Sequence, residues 1–225
     1  MTVTTSDGTR PRPPLLGSLG YLLSNLPLGV AGFSVMVVLF TAGLGTAVVW
    51  VGLPILAAAV LVARGAGRLE RVRVHRMLRA YIATPYKPLP ESGVRARWLA
   101  RLSDGATWRE VLYLVVLLPL GIAEFVLVVA FWSTGLALAT LPFYCTLLPG
   151  GAYSFPSFDQ RWFVVDSPVA ALPWAALGLV VLALAVAVTR GLGTAHAYFA
   201  RGVLGPGPRA RRLAGSDIGS PAPVA

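Results

Sequence analysis

Apolar positions along this chain are gathered into long unbroken blocks rather than spread in short periodic stripes. Pro13 to Ala63 carries no charged residue in 51 positions, residues 111–160 carry only Glu124 and Asp159, and residues 167–189 carry none. A helix needs about 20 apolar residues to cross a hydrocarbon core ~30 Å thick. The first block is too long for one such helix and fits two, with Gly43-Leu44-Gly45 as the turn, since glycine turns cheaply. The pattern therefore predicts spans near 20–42 and 46–63, a third from about Val111, and a fourth near 169–189. Pro27 and Pro54 fall near the expected span ends, where a missing N–H costs least.

Residues 135–149 (GLALATLPFYCTLLP) fit this scheme in more than one way: as a continuation of the third span, as a re-entrant or further crossing, or as a segment on the outer leaflet. A full crossing conflicts with the charge distribution described below.

The blocks are also related to each other. YLLSNLPLGVAGFSVMVVLFTAGLG from Tyr21 and YLVVLLPLGIAEFVLVVAFWSTGLA from Tyr113 agree at 11 of 25 positions at a constant offset of 92 residues. Apolar composition alone would not align Leu-Pro-Leu-Gly, a later Phe and a Gly-Leu in one register. The chain is built from two copies of a unit in which an outward helix is followed by a returning one.

The polar positions orient this scheme. Lysine and arginine number 2 before residue 13, 11 in 64–110, 1 in 134–168 and 5 after 189. The basic segments share one side only if the chain crosses four times, and that side is the cytoplasm. Both termini are then cytoplasmic, in the plasma membrane, and the two repeats are parallel, related by an axis along the membrane normal. Within the connector, Val74, Met77, Leu78, Tyr81 and Ile82 recur at helical spacing opposite Arg76 and Arg79. This predicts a basic amphipathic helix on the inner leaflet, with Arg64, Arg68, Arg71, Arg76 and Arg79 meeting anionic lipid. A second short amphipathic piece carries Trp98, and Trp108 begins the third span at headgroup level. The expected architecture is an all-α integral membrane protein: four transmembrane helices as two parallel-repeat hairpins, residues 15–206, between disordered cytoplasmic tails at 1–14 and 207–225.

Composition sharpens the exclusions. Charged residues are 12% of the chain, against roughly a quarter in soluble domains. The net charge of +10 comes from arginines that flank the spans, so nucleic acid is not the expected partner. The polar, proline-containing start does not read as a signal peptide. Cys145 is the only cysteine and has no cationic neighbour to activate it, so packing is its expected role.

Candidate chemistry is sparse. Glu124 lies ~21 Å past Glu110 along a helix, inside the third span. An acid there is either functional or a neutral or snorkelling side chain bonded to Ser34, Thr41 or a backbone group. The outer segment 143–166 is aromatic and holds Asp159, Arg161, Trp162 and Asp166. These suit a lipid-like or small amphipathic ligand, or else an interfacial aromatic belt. His75 and His196 lie in separate cytoplasmic segments and are expected to be solvated. They are too few to hold zinc. No metalloprotease, nucleophile-elbow or phosphate-loop pattern occurs, so neither catalysis nor a cofactor is expected.

YLLSNLPLGVAGF and GLGTAVVWVGLPIL at 21–56, LSDGATWREVLYLVVLLPLG at 102–121 and ARGVLGP at 200–206 carry a resemblance. The chain resembles the "putative sensor" transmembrane domain found before the kinase module of histidine kinases in high-GC Gram-positive bacteria. The likeness covers residues 15–206. It implies a signal-input module, with a dimerising helix and its phospho-accepting histidine following the Leu-Gly-Pro. Here RARRLAGSDIGSPAPVA follows instead, without a histidine box, so the chain looks like a stand-alone sensor domain. The expected function is a sensor-like module without a catalytic domain, acting through a cytoplasmic regulator or kinase, with a homodimer as a further assembly. A small transporter or channel subunit, or a membrane scaffold, is the alternative.

Overall fold

The computed structural model describes residues 13–86, 93–147, 153–156 and 161–207, with 153–156 and 161–164 as backbone only. Four helices are long and apolar enough to cross a membrane. They are α1 (Leu15–Gly45), α2 (Gly52–Leu78), α4 (Gly105–Tyr144) and α5 (Leu172–Leu204), with the short α3 (Val94–Leu102) before α4. The helical, four-span class is as expected, but the helices run past the predicted spans. Pro54 lies in the first turn of α2 as expected, whereas Pro27 lies inside α1, and its counterpart Pro119 lies inside α4. Helix packing in an apolar solvent tolerates such prolines because neighbours re-satisfy the freed carbonyls. The carbonyl that Pro27 frees is that of Leu23; nearby, Ser24 Oγ and Arg73 Nη2 both donate to the Tyr21 carbonyl. The awkward stretch after residue 135 continues the third span to Tyr144 and closes in a single 3-10 turn, Cys145–Leu147. Cys145 is fully buried against Leu141, Val165 and Ala171.

One element lies outside an all-helical reading. Tyr153–Pro156 (β1) and Arg161–Val165 (β2) pair antiparallel, with Phe155 opposite Phe163 and a register shift before Pro156. Aromatic and β-branched residues suit such a ribbon.

Each copy of the repeat packs its outgoing helix on the helix that follows. Gly43 seats Leu56 of α2, and its counterpart Gly135 seats Leu182 of α5, with a hypothetical Cβ 2.7 and 2.9 Å from the leucine Cδ2. The copies then meet at their Leu-Pro-Leu-Gly segments. A Cβ on Gly29 would lie 3.0 Å from the Leu117 carbonyl oxygen, and one on Gly121 would lie 2.9 Å from that of Asn25. The 92-residue offset turns each of these contacts into the other. Glycine is required at both positions because backbone lies directly against backbone. Gly32 faces Leu114, so contacts climb one helix as they descend the other. The copies therefore cross at this point rather than lie side by side along their length, and the glycines permit the close approach.

The basic connector also differs from expectation. Residues 64–78 are not a separate surface helix but the second half of α2. Val74, Leu78 and Ile82 are buried in the largest core cluster, together with Tyr21, Tyr113 and Leu204, and so do not face a leaflet.

Candidate functional site

Where the copies cross, the interior is polar. Tyr21 and Asn25 come from α1, Glu70 and Arg73 from α2, Tyr113 and Glu124 from α4, and His196 from α5. Tyr21, Asn25, Tyr113, Glu124 and His196 are at most 3% exposed. Buried charge is tolerated only when paired and hydrogen-bonded, and here it is. His196 Nδ1 lies 2.6 Å from Glu124 Oε1, and Asn25 Nδ2 donates to Glu124 Oε2 at 2.6 Å. The other side of the Asn25 amide accepts from Arg73 Nη2 at 2.7 Å. Arg73 also bonds Glu70 Oε2 at 2.7 Å and lies over the Tyr21 ring. The second imidazole nitrogen, Nε2, is 2.9 Å from the Tyr113 hydroxyl, which is 3.0 Å from Glu70 Oε1. Tyr21 donates to that same carboxylate oxygen.

This arrangement fixes a proton inventory. The Tyr113 hydroxyl has one hydrogen and, besides the Tyr21 hydroxyl 3.4 Å away, two closer acceptors within reach. If it donates to Glu70, then His196 Nε2–H must donate to it in turn. The contact between Nδ1 and Glu124 then holds one further proton, on the imidazole or on the acid. If Tyr113 donates to Nε2 instead, His196 is neutral with its hydrogen on Nδ1, facing an ionised Glu124. The two arrangements differ by one proton and by the rotation of one hydroxyl. What the cluster can do chemically is hold or release that proton while joining four helices.

A second cluster lies nearby. Arg71 Nη2 bonds Glu110 Oε1 at 2.6 Å, and Tyr86 donates to the same oxygen at 2.5 Å. Burial, together with this bond to Glu110, raises the Tyr86 phenol above its ordinary range. Gly67 makes room, since a Cβ there would meet Glu110 Oε1 at 2.6 Å. Arg64 bonds Thr107 Oγ1 at 2.9 Å and lies 3.7 Å from Asp104, which caps the start of α4. Arg71 also donates to the Leu204 carbonyl at 3.2 Å, and Arg109 donates to that of Gly205 at 3.0 Å. The end of α5 is therefore clamped by one guanidinium from each hairpin.

The residues singled out from sequence scatter across these places. Glu124 is buried as expected of an acid in a span, but its partners are Asn25 and His196, not Ser34 or Thr41. His196, read as solvated, is 2% exposed. It sits on a buried stripe of α5 with Gly178, Ala185, Thr189, Gly193 and Ala200. That stripe of small residues was the signal that could have found it. Arg64 and Arg71, expected at the lipid surface, turn inward to Asp104 and Glu110, whose charges would otherwise be buried unpaired. Arg68, Arg76 and Arg79 are exposed, as is His75. Asp159 lies outside the described residues, Arg161 and Trp162 are described only as backbone of β2, and Asp166 is exposed beyond it. Among the described residues, no group of three His, Cys, Asp or Glu could hold a metal ion.

A family model described as "Putative sensor" matches residues 21–204. No curated protein and no solved structure matches the chain.

Proposed function

The chain belongs to the "Putative sensor" family, and from that we propose that it is a membrane signal-input module acting through a cytoplasmic partner, a regulator or kinase. Its input is a change in the relation between the two hairpins, held by the polar cluster at their crossing. The observation that carries this reading is the reach of that cluster. Its side chains come from all four long helices and both copies, so a shift in any one helix alters bonds on the other three. The clamp on Leu204 and Gly205 supplies the output, since it ties the end of α5 to α2 and α4.

In this reading both termini and residues 64–110 lie at the cytoplasmic face of the plasma membrane, which the arginine distribution supports. The transporter alternative rests on the buried acid, and Glu124 is better described as saturated by Asn25 and His196 than as lining a pathway.

The test is a distance measurement. Spin labels on Val48 of the first hairpin and Leu147 of the second, in bilayers, should report a longer or broader distance distribution for Glu124→Gln than for the parent chain. An unchanged distribution, with the end of α5 equally unchanged in mobility, would remove the proposed input. Solute flux in proteoliposomes that is lost in Glu124→Gln would favour the transporter instead.

A further inference from the structure

Beside the clamp, α2 carries a second basic row, in which only Arg71 pairs with a carboxylate among the described residues. Arg68, Arg71, His75 and Arg76 follow at i, i+3, i+7 and i+8, which places them on one side of the helix. Arg79 ends the helix in the left-handed region, φ 53°, and the chain folds back so that Tyr81 and Thr84 face this side. Between them is a cavity of about 450 Å³. None of its lining residues is acidic.

The three arginines and the histidine are not equivalent. Arg71 is engaged with Glu110 and the Leu204 carbonyl. Arg68 lies 5.4 Å from the Tyr86 ring centre and is exposed. Arg68, His75 and Arg76 are exposed and have no carboxylate partner among the described residues. The rest of the wall is apolar: Val72 is 47% and Tyr81 71% exposed, beside the buried Ile82.

The geometry points to a binding site for a phosphate-bearing amphiphile, an anionic phospholipid whose headgroup sits between Arg68, Arg76 and His75 and whose chains run over Val72 and Tyr81. Guanidinium edges match phosphate oxygens, and the apolar wall selects an acyl-bearing phosphate over a free one. Because Arg71 lines the cavity and also holds Leu204, an occupied site bears on the same end of α5 as the polar cluster. This inference rests on the reading of residues 64–110 as a membrane-proximal cytoplasmic segment, but its test is a binding measurement and is independent of any signalling output.

The full chain, purified in a neutral detergent, is titrated with dioctanoyl-phosphatidylglycerol, dioctanoyl-phosphatidylcholine and glycerol phosphate, with bound species counted by native mass spectrometry. The phosphatidylglycerol should bind at least tenfold better than either of the others. Arg68→Gln/Arg76→Gln should weaken it roughly 30-fold, from two arginines at about 1 kcal/mol each. Arg95→Gln/Arg101→Gln on α3 removes equal charge elsewhere and should leave binding unchanged. Equal binding of glycerol phosphate would overturn the amphiphile. An equal loss in the α3 pair would overturn the site itself, leaving only diffuse charge attraction. Proper folding of each variant is read from its unfolding midpoint, because exposed arginines should not move it.

Discussion

His196 Nδ1 and Glu124 Oε1 lie 2.6 Å apart although 72 residues separate them in the chain. Glu124 has Gly32 as its counterpart in the first copy, and its other partner, Asn25, has Leu117 as its counterpart in the second. Each copy thus carries at the crossing a polar side chain that its sister lacks, and the two bond each other there. The repeat built a symmetric contact, and the bond from Asn25 to Glu124 is where the symmetry is broken.

That pair should be coupled energetically. Glu124→Gln and His196→Ala should each lower resistance to unfolding in mixed sodium dodecyl sulfate micelles, by about 1–3 kcal/mol, because each strands a buried polar partner. The double variant should cost clearly less than their sum, by about 0.5–3 kcal/mol. Additive losses would mean the contact carries no energy.

The Tyr113 hydroxyl should govern His196 alone. The chain has two histidines, so the imidazole nitrogens can be followed by nitrogen-15 NMR. Tyr113→Phe should move the His196 Nε2 signal and leave both His75 signals in place. An unmoved His196 would refute the proton inventory drawn from the cluster.

Arg71→Gln should cost about 3–5 kcal/mol, since it leaves the Glu110 carboxylate buried without its guanidinium. Arg71→Gln/Glu110→Gln should recover most of that loss, because no unpaired charge remains. Failure of the double variant to recover would assign the effect to the Leu204 clamp.

The crossing glycines should behave as a matched pair. Gly29→Ala and Gly121→Ala each force a methyl group onto facing backbone and should each cost about 1–3 kcal/mol. Gly20→Ala, with nothing within 4 Å of its Cβ, should be neutral or mildly stabilising. A strong asymmetry between the first two would contradict the reciprocal contact.

Orientation is open to direct labelling. Thr5→Cys, Pro88→Cys, Ser157→Cys and Gly215→Cys, each in a Cys145→Ala background, should react with an impermeant thiol reagent on intact cells only at position 157. Labelling at 88 or 215 would overturn the cytoplasmic placement of the basic segments.

What the sequence revealed and what it hid divide along physical lines. The spans were legible because they rest on a local pattern, charge-free length. The polar cluster was not, because its bonds, apart from that of Arg73 to Glu70, join residues 43 to 171 positions apart, which no periodicity records. The face of α2 is the instructive case. Arg64, Gly67, Arg71, Val74 and Leu78 form one buried stripe at helical spacing. Val74 and Leu78 alone suggested a lipid-facing side, and the arginines on the same stripe were counted as surface charge. Gly67 was the clue to the opposite reading, since a glycine in mid-helix between arginines leaves space for something large, here the Glu110 carboxylate.

The reciprocal glycine contact makes the molecule a lever with its fulcrum at the two Leu-Pro-Leu-Gly segments. From Gly29 to Gly45 the first arm is about 24 Å long, and from Gly121 to Tyr144 the second is about 35 Å, at 1.5 Å per residue. A swing of about 5° at the fulcrum moves the far ends of such arms by roughly 2 and 3 Å. The bonds around His196, close to the fulcrum, shift by only a fraction of that. Long travel at the hairpin tips is thereby geared down to displacements on the scale of a hydrogen bond, where a single proton or carboxylate can resist them.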